Sequence, residues 1–166
     1  VKFIEASMRA KDSGFDLIEI HAAHGYLFHQ FLSPLTNKRN DKYGGSFENR
    51  TRLLVDTAKL IREKIGEDMP LFVRISATDW VEGGWDLYQS IELCKILKDN
   101  GVDLIDVSSG GLVHDAKITT GPGYQVHFAA EIKQKAAILT AAVGQITEAT
   151  QAEEIIKSNL WFCHGS

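Results

Sequence analysis

Four apolar runs, each followed by a segment of helical periodicity, leave this chain few folds to choose from. The first centres on Phe15, Leu17, Ile18 and Ile20; the others cover residues 70–76, 102–107 and 138–143, and all four have the composition of buried strands. Residues 50–64, 87–98 and 126–137 carry apolar side chains at helical spacing, residues 2–13 form a helix ahead of the first strand, and Thr147 and Glu148 lead a last one through Ala152, Ile155 and Ile156. Buried strands alternating with helices define an α/β domain with a parallel sheet and right-handed crossovers. The punctuation agrees. Gly14, Gly66 and Asn100-Gly101 end helices, and Ser46, with Asn49 three residues on, reads as an N-cap.

Composition narrows the class further. A chain of 166 residues with a formal net charge of -4 and 44% hydrophobic side chains has enough apolar material for one real core. No apolar run approaches the roughly 18 to 20 residues needed to cross a bilayer, and no basic start precedes an apolar stretch and a cleavage site, so no membrane partner and a cytoplasmic location are expected. Basic residues are scattered among acids, which argues against nucleic acid. Cys94 and Cys163 lie far apart without a C-x-x-C partner, suggesting neither a disulfide framework nor a zinc site.

The chemistry gathers where strands end. After Ile20 come His21, His24, Gly25 and Tyr26, and the carboxyl ends of parallel strands are where such folds bind ligands. His21, His24 and Tyr26 are therefore placed to face one; the plainer alternative is that they are ordinary loop residues. Arg74 stands inside the second apolar run and needs either a protein carboxylate or an anionic ligand. Ser108-Ser109-Gly110-Gly111 follows the third strand with small residues whose backbone and hydroxyls can approach an anion, and Gly144 closes the fourth ahead of a helix, an arrangement that suits a phosphate. The long connection over residues 33–46, with Pro34 at its start and Gly44-Gly45 at its end, reads as a folded loop over the site. His21 and His24 lack a third nearby ligand and an H-E-x-x-H helix, so no metal is expected.

Taken together, His21-x-x-His24-Gly25-Tyr26-Leu27, Phe31-Leu32-Ser33-Pro34, Asn37-Lys38-Arg39, Asp41-x-Tyr43-Gly44-Gly45-Ser46-x-Glu48-Asn49-Arg50, Phe72-Val73-Arg74-Ile75-Ser76 and Asp106-Val107-Ser108-Ser109-Gly110 resemble the Old Yellow Enzyme family of flavin-dependent ene reductases, in particular its bacterial two-histidine branch. The resemblance implies a TIM barrel with FMN at the carboxyl ends of its strands and NAD(P)H as reductant. His21 and His24 would bind the carbonyl or nitro oxygen of an activated alkene, and Tyr26 would supply a proton. Arg74 would face the pyrimidine edge of the flavin, with Ser108 and Gly144 helping to hold the ribityl chain and phosphate.

A complete barrel of this kind has eight strands and about 250 residues; four strands here, by motif order, resemble the fourth to the seventh. The expectation is thus a partial (β/α)8 barrel of about four βα units over residues 1–158. Residues 159–166 form a tail that is either a truncated eighth strand or unrelated sequence. Two open edges suggest completion by self-association into a homo-oligomer. Three functions stay open for the chain alone: reduction of small-molecule alkenes, flavin or phosphate-ligand binding without turnover, and a structural half barrel.

Overall fold

A computed structural model describes residues 2–158 of the chain; the 159–166 tail lies outside them. The elements follow the order α1 (Lys2–Asp12), β1 (Ile18–Ala22), α2 (Leu27–Leu32), α3 (Phe47–Ile65), β2 (Leu71–Ser76), α4 (Leu87–Asp99), β3 (Leu104–Ser108), α5 (Val126–Ala136), β4 (Leu139–Ala142) and α6 (Ala149–Lys157). The four strands form one parallel sheet in chain order, β1-β2-β3-β4. That order, with helical crossovers, is the wall of a (β/α)8 barrel, and the partial barrel expected from the sequence is what the chain forms.

Alternation of side chains sorts the sheet into two faces. Ile18, Ile20, Leu71, Val73, Ile75, Ile105, Val107 and Ala142 point to the helices and are buried in the core. The opposite, concave face carries Leu17, Glu19, Phe72, Arg74, Leu104, Asp106, Ser108, Ala141 and Val143, which line an open trough of about 890 Å³. Here the sequence reading needs correction. Phe15 is 66% exposed and Leu17 41%, although both were expected in a buried strand. Phe15 lies ahead of β1 in the turn that leaves α1, and Leu17 belongs to the face that only further strands would cover.

Caps and a buried arginine hold the outer layer. Ser46 Oγ accepts from the Asn49 N–H at 3.3 Å, as the sequence suggests, a contact worth about 1 kcal/mol. Arg50 donates to the Leu32 carbonyl and, at 3.2 Å, to the Gly45 carbonyl, so one guanidinium ties both ends of the 33–46 loop. Its third contact, to Gln89 Oε1 at 2.7 Å, reaches α4. Inside the loop, Asn37 Nδ2 bridges the carbonyls of Phe31 and Tyr43 at 2.6 and 2.8 Å. Helix α2, a short apolar run that the sequence reading leaves without an element, connects β1 to this loop. Among the described residues no helix is long and apolar enough to cross a membrane.

Candidate active site

The sheet register puts the chemistry in one row. His21 is the Cα partner of Arg74, and Arg74 of Asp106, so three titratable residues lie side by side on the concave face of β1, β2 and β3. His21 is thus part of its strand, one residue beyond where the apolar run stops. His24 and Tyr26 follow in the turn before α2. The His21 ring lies 5.4 Å from that of His24 and 5.0 Å from that of Tyr26, centroid to centroid, so the trio converges at the carboxyl end of β1.

The turn is built by close backbone approach. His24 and Gly25 both have positive φ, 55° and 76°. A Cβ on Gly25 would fall 2.7 Å from the Gly111 carbonyl oxygen, and one on Gly111 2.7 Å from His24 Cα. Gly111, after β3, thus serves as a seat for the histidine turn. Two hydroxyls also meet this turn: Ser108 Oγ lies 2.7 Å from His24 Nε2 and Ser76 Oγ accepts the His24 N–H at 3.0 Å, whereas Ser109 Oγ donates to Gln125 Oε1 and accepts from Trp80 Nε1. Across the turn from the trough, the 33–46 loop borders a second cleft of about 450 Å³ that includes His24, Phe31 and Arg39.

Arg74 has the carboxylate partner that sequence reasoning left as one alternative. Its Nε lies 3.2 Å from Asp106 Oδ2. The alignment makes an ion pair but no hydrogen bond, and this buried N–H meets no protein acceptor among the described residues. Gly144, with φ 119°, also lines the trough, and a Cβ there would meet Tyr124 and Gln125 at 3.0 Å. The Arg74 N–H without an acceptor, with Ser108 and Gly144 in the same lining, suits a ligand that brings a hydrogen-bond acceptor to this trough.

Burial pushes the His24 imidazole down to a pKa of about 4, with the positive charge of Arg74 adding to the effect. His21 is lowered by the same two causes, opposed by the Asp106 carboxylate. Both rings are therefore neutral at pH 7, each with one N–H to donate. Because the folded-state value of His24 lies below its ordinary 6.5, its contribution to stability is complete above pH 6.5 and is lost as pH falls towards 4. The thermal midpoint of the native chain is expected to fall more steeply across that window than the midpoint of His24→Gln; parallel curves would contradict the assignment.

Sequence reasoning missed the supports of this site. His29, Asp79 and Gln125 are buried, and each bonds to a residue or loop of the site. The only signal was a histidine set inside the apolar run Leu27-Phe28-His29-Gln30-Phe31-Leu32. Asp79 and Gln125 sit in connections whose composition reads as loop. No cluster of three metal-ligating side chains occurs among the described residues.

A four-stranded parallel βα sheet with polar side chains gathered at its strand ends defines part of a (β/α)8 barrel fold. More particularly, the chain belongs to the NADH:flavin oxidoreductase / NADH oxidase family, whose model matches residues 1–160. FMN is that family's cofactor, and NADPH is the reductant named for its relatives. The chain is 55% identical over 158 residues to an NADPH dehydrogenase of Bacillus velezensis and 53% identical over 157 residues to one of Bacillus subtilis. Each match covers 95% of this chain and 46% of the relative, so the chain spans about half the length of the curated relatives it matches. The old yellow enzyme homologue from Zymomonas mobilis superposes with a TM-score of 0.75 at 28% identity, over 98% of this chain and 45% of that one. A 2-naphthoyl-CoA reductase, solved with 2-naphthoyl-CoA, superposes with a TM-score of 0.88 at 32% identity, over 97% of this chain and 26% of that one.

Proposed function

We propose that this chain forms the substrate-binding and proton-donating half of an FMN-dependent, NAD(P)H-driven reductase of activated alkenes such as enones and nitroalkenes. The observation that carries the reading is the convergence of His21, His24 and Tyr26 at the carboxyl end of β1, where His21 is the sheet neighbour of Arg74, a residue of the trough. Two neutral imidazoles present N–H groups to one oxygen, and their hydrogen bonds strengthen as negative charge develops there. Where the Ser108 hydroxyl donates to His24 Nε2, the His24 ring proton is on Nδ1, the nitrogen left to donate to substrate. Tyr26, 62% exposed and packed against His21, gives its phenolic proton to one alkene carbon. FMN, when bound, supplies to the other carbon a hydride taken from NAD(P)H, so the double bond becomes a single bond with two new C–H bonds. Arg74, Ser108 and Gly144 would hold that group, Arg74 by placing positive charge at its edge.

The test is direct. Flavin absorbance in the purified chain together with enone-dependent NAD(P)H oxidation supports the proposal. Flavin without turnover would mark a binding module, and neither would mark a structural half barrel. Replacing His21 and His24 together by alanine is expected to weaken a phenolate ligand by about 10- to 100-fold, the scale of two lost hydrogen bonds, without releasing flavin. Release of flavin would mark the pair as scaffold.

Among the described residues, the edge strands β1 and β4 are each paired on one side only. A second copy of the chain, docked edge to edge, would bring the strand count to the eight of a closed barrel. Light scattering that shows a stable monomer at micromolar concentration would exclude this homo-oligomer.

A further inference from the structure

A buried hydrogen-bonded knot lies behind the His24–Tyr26 turn, and none of its side chains lines the trough. His29 and Asp79 are both fully buried. The Gly25 N–H donates to His29 Nδ1 at 3.0 Å, so that nitrogen carries a lone pair. The ring proton is therefore on Nε2, which donates to Asp79 Oδ1 at 2.8 Å. Asp79 Oδ2 accepts the Ser33 hydroxyl at 2.6 Å and the Trp85 N–H at 2.7 Å. Burial works against ionisation of Asp79, yet these donors outweigh it and hold its carboxyl below the ordinary range. The knot thus joins the loop after β2 to the first turn of α2, and its single bond to the site's own turn is the one from Gly25.

That bond falls at a sensitive place. Gly25 separates His24 from Tyr26, and the left-handed φ of 55° at His24 is a conformation that a side-chain-bearing residue keeps only when its surroundings hold it. One hold is the Ser76 hydroxyl on the His24 N–H, and a second is the Gly111 backbone. The third is His29. We infer that His29, fixed as its Nε2–H tautomer by Asp79, is a positioning residue that sets the turn on which His24 and Tyr26 converge with His21. The inference rests on the reading of that trio as the substrate-facing groups.

Two variants separate the two bonds of the ring. Asparagine places an amide oxygen near the Nδ1 position and retains an acceptor for Gly25; glutamine places its amide near Nε2 and retains a donor for Asp79 alone. The full chain is followed by amide hydrogen exchange, with 4-hydroxybenzaldehyde as the phenolate probe. In His29→Gln, Gly25 amide protection is expected to drop about 10- to 100-fold and probe affinity about 10-fold, the scale of one lost buried hydrogen bond. In His29→Asn both should stay within about 3-fold of the native chain, and the core amides of Val73 and Ile105 should keep their protection in both variants. Equal losses in the two variants, or unchanged Gly25 protection in His29→Gln, would overturn the inference. Nitrogen-15 shifts of the unaltered chain test it without substitution: a protonated Nδ1 in His29 overturns it, and a protonated Nε2 supports it. Should the probe fail to bind the native chain, the reading of the trio falls, while the Gly25 amide still decides the role of His29.

Discussion

Phenylalanine in place of Tyr26 is expected to slow alkene reduction by about 10²- to 10⁴-fold, the range of a general acid, with flavin reduction by NAD(P)H changed by no more than about 3-fold. The asymmetry follows from where the residue sits. Tyr26 is 62% exposed at the start of α2 and touches the site through its ring, 5.0 Å from His21, so loss of one oxygen leaves that packing in place. Only the half-reaction that needs a proton on carbon should suffer. Stopped-flow measurement of the two half-reactions in the flavin-loaded protein separates them, and equal slowing of both would refute the proton-donor role.

The largest expected change in stability lies away from the chemistry, at Trp85. It is 1% exposed and stacks on Phe47 with centroids 6.0 Å apart. The Arg50 guanidinium lies 5.7 Å from its ring centroid, and its indole N–H donates to Ser90 Oγ at 2.7 Å. Trp85→Ala should cost about 3–5 kcal/mol by creating a cavity in this layer, a large share of the roughly 5–15 kcal/mol that holds a domain of this kind. The bonds that Trp85 shares with Asp79, at 2.7 and 2.8 Å, run through the Trp85 backbone and survive in alanine, so the loss falls on the packing of the indole ring. Urea unfolding measures it, and a change below about 1 kcal/mol would show that the layer refills the space.

Much of this fold could be read from residue pattern because parallel strands and amphipathic helices write their periodicity locally. The strands at residues 70–76, 102–107 and 138–143 and the cap at Ser46 emerge within a residue or two of their observed positions. The first strand was harder, since Phe15 and Leu17 are apolar yet face away from the core. Composition records a side chain's chemistry, and the covering layer decides its burial. Among site residues, His21, His24 and Tyr26 were legible because a strand ran directly into them. Arg74 was legible as a charge in an apolar run, but its pairing with Asp106 depends on a neighbouring strand's register. His29 and Asp79, fifty residues apart, meet only through tertiary folding, and no local period announces such a pair.

The identity of chain order and strand order has a consequence for synthesis. Ile18 pairs with Leu71, Phe72 with Leu104, and Leu104 with Leu139, so each strand docks on the one made just before it. Modest sequence separations keep loop closure inexpensive, and growth from one edge lets structure accumulate as the ribosome delivers it. The histidine turn, however, comes to rest against Gly111, more than eighty residues later in the chain. Co-translational folding would therefore raise the scaffold first and seat the histidine turn only after β3 has emerged.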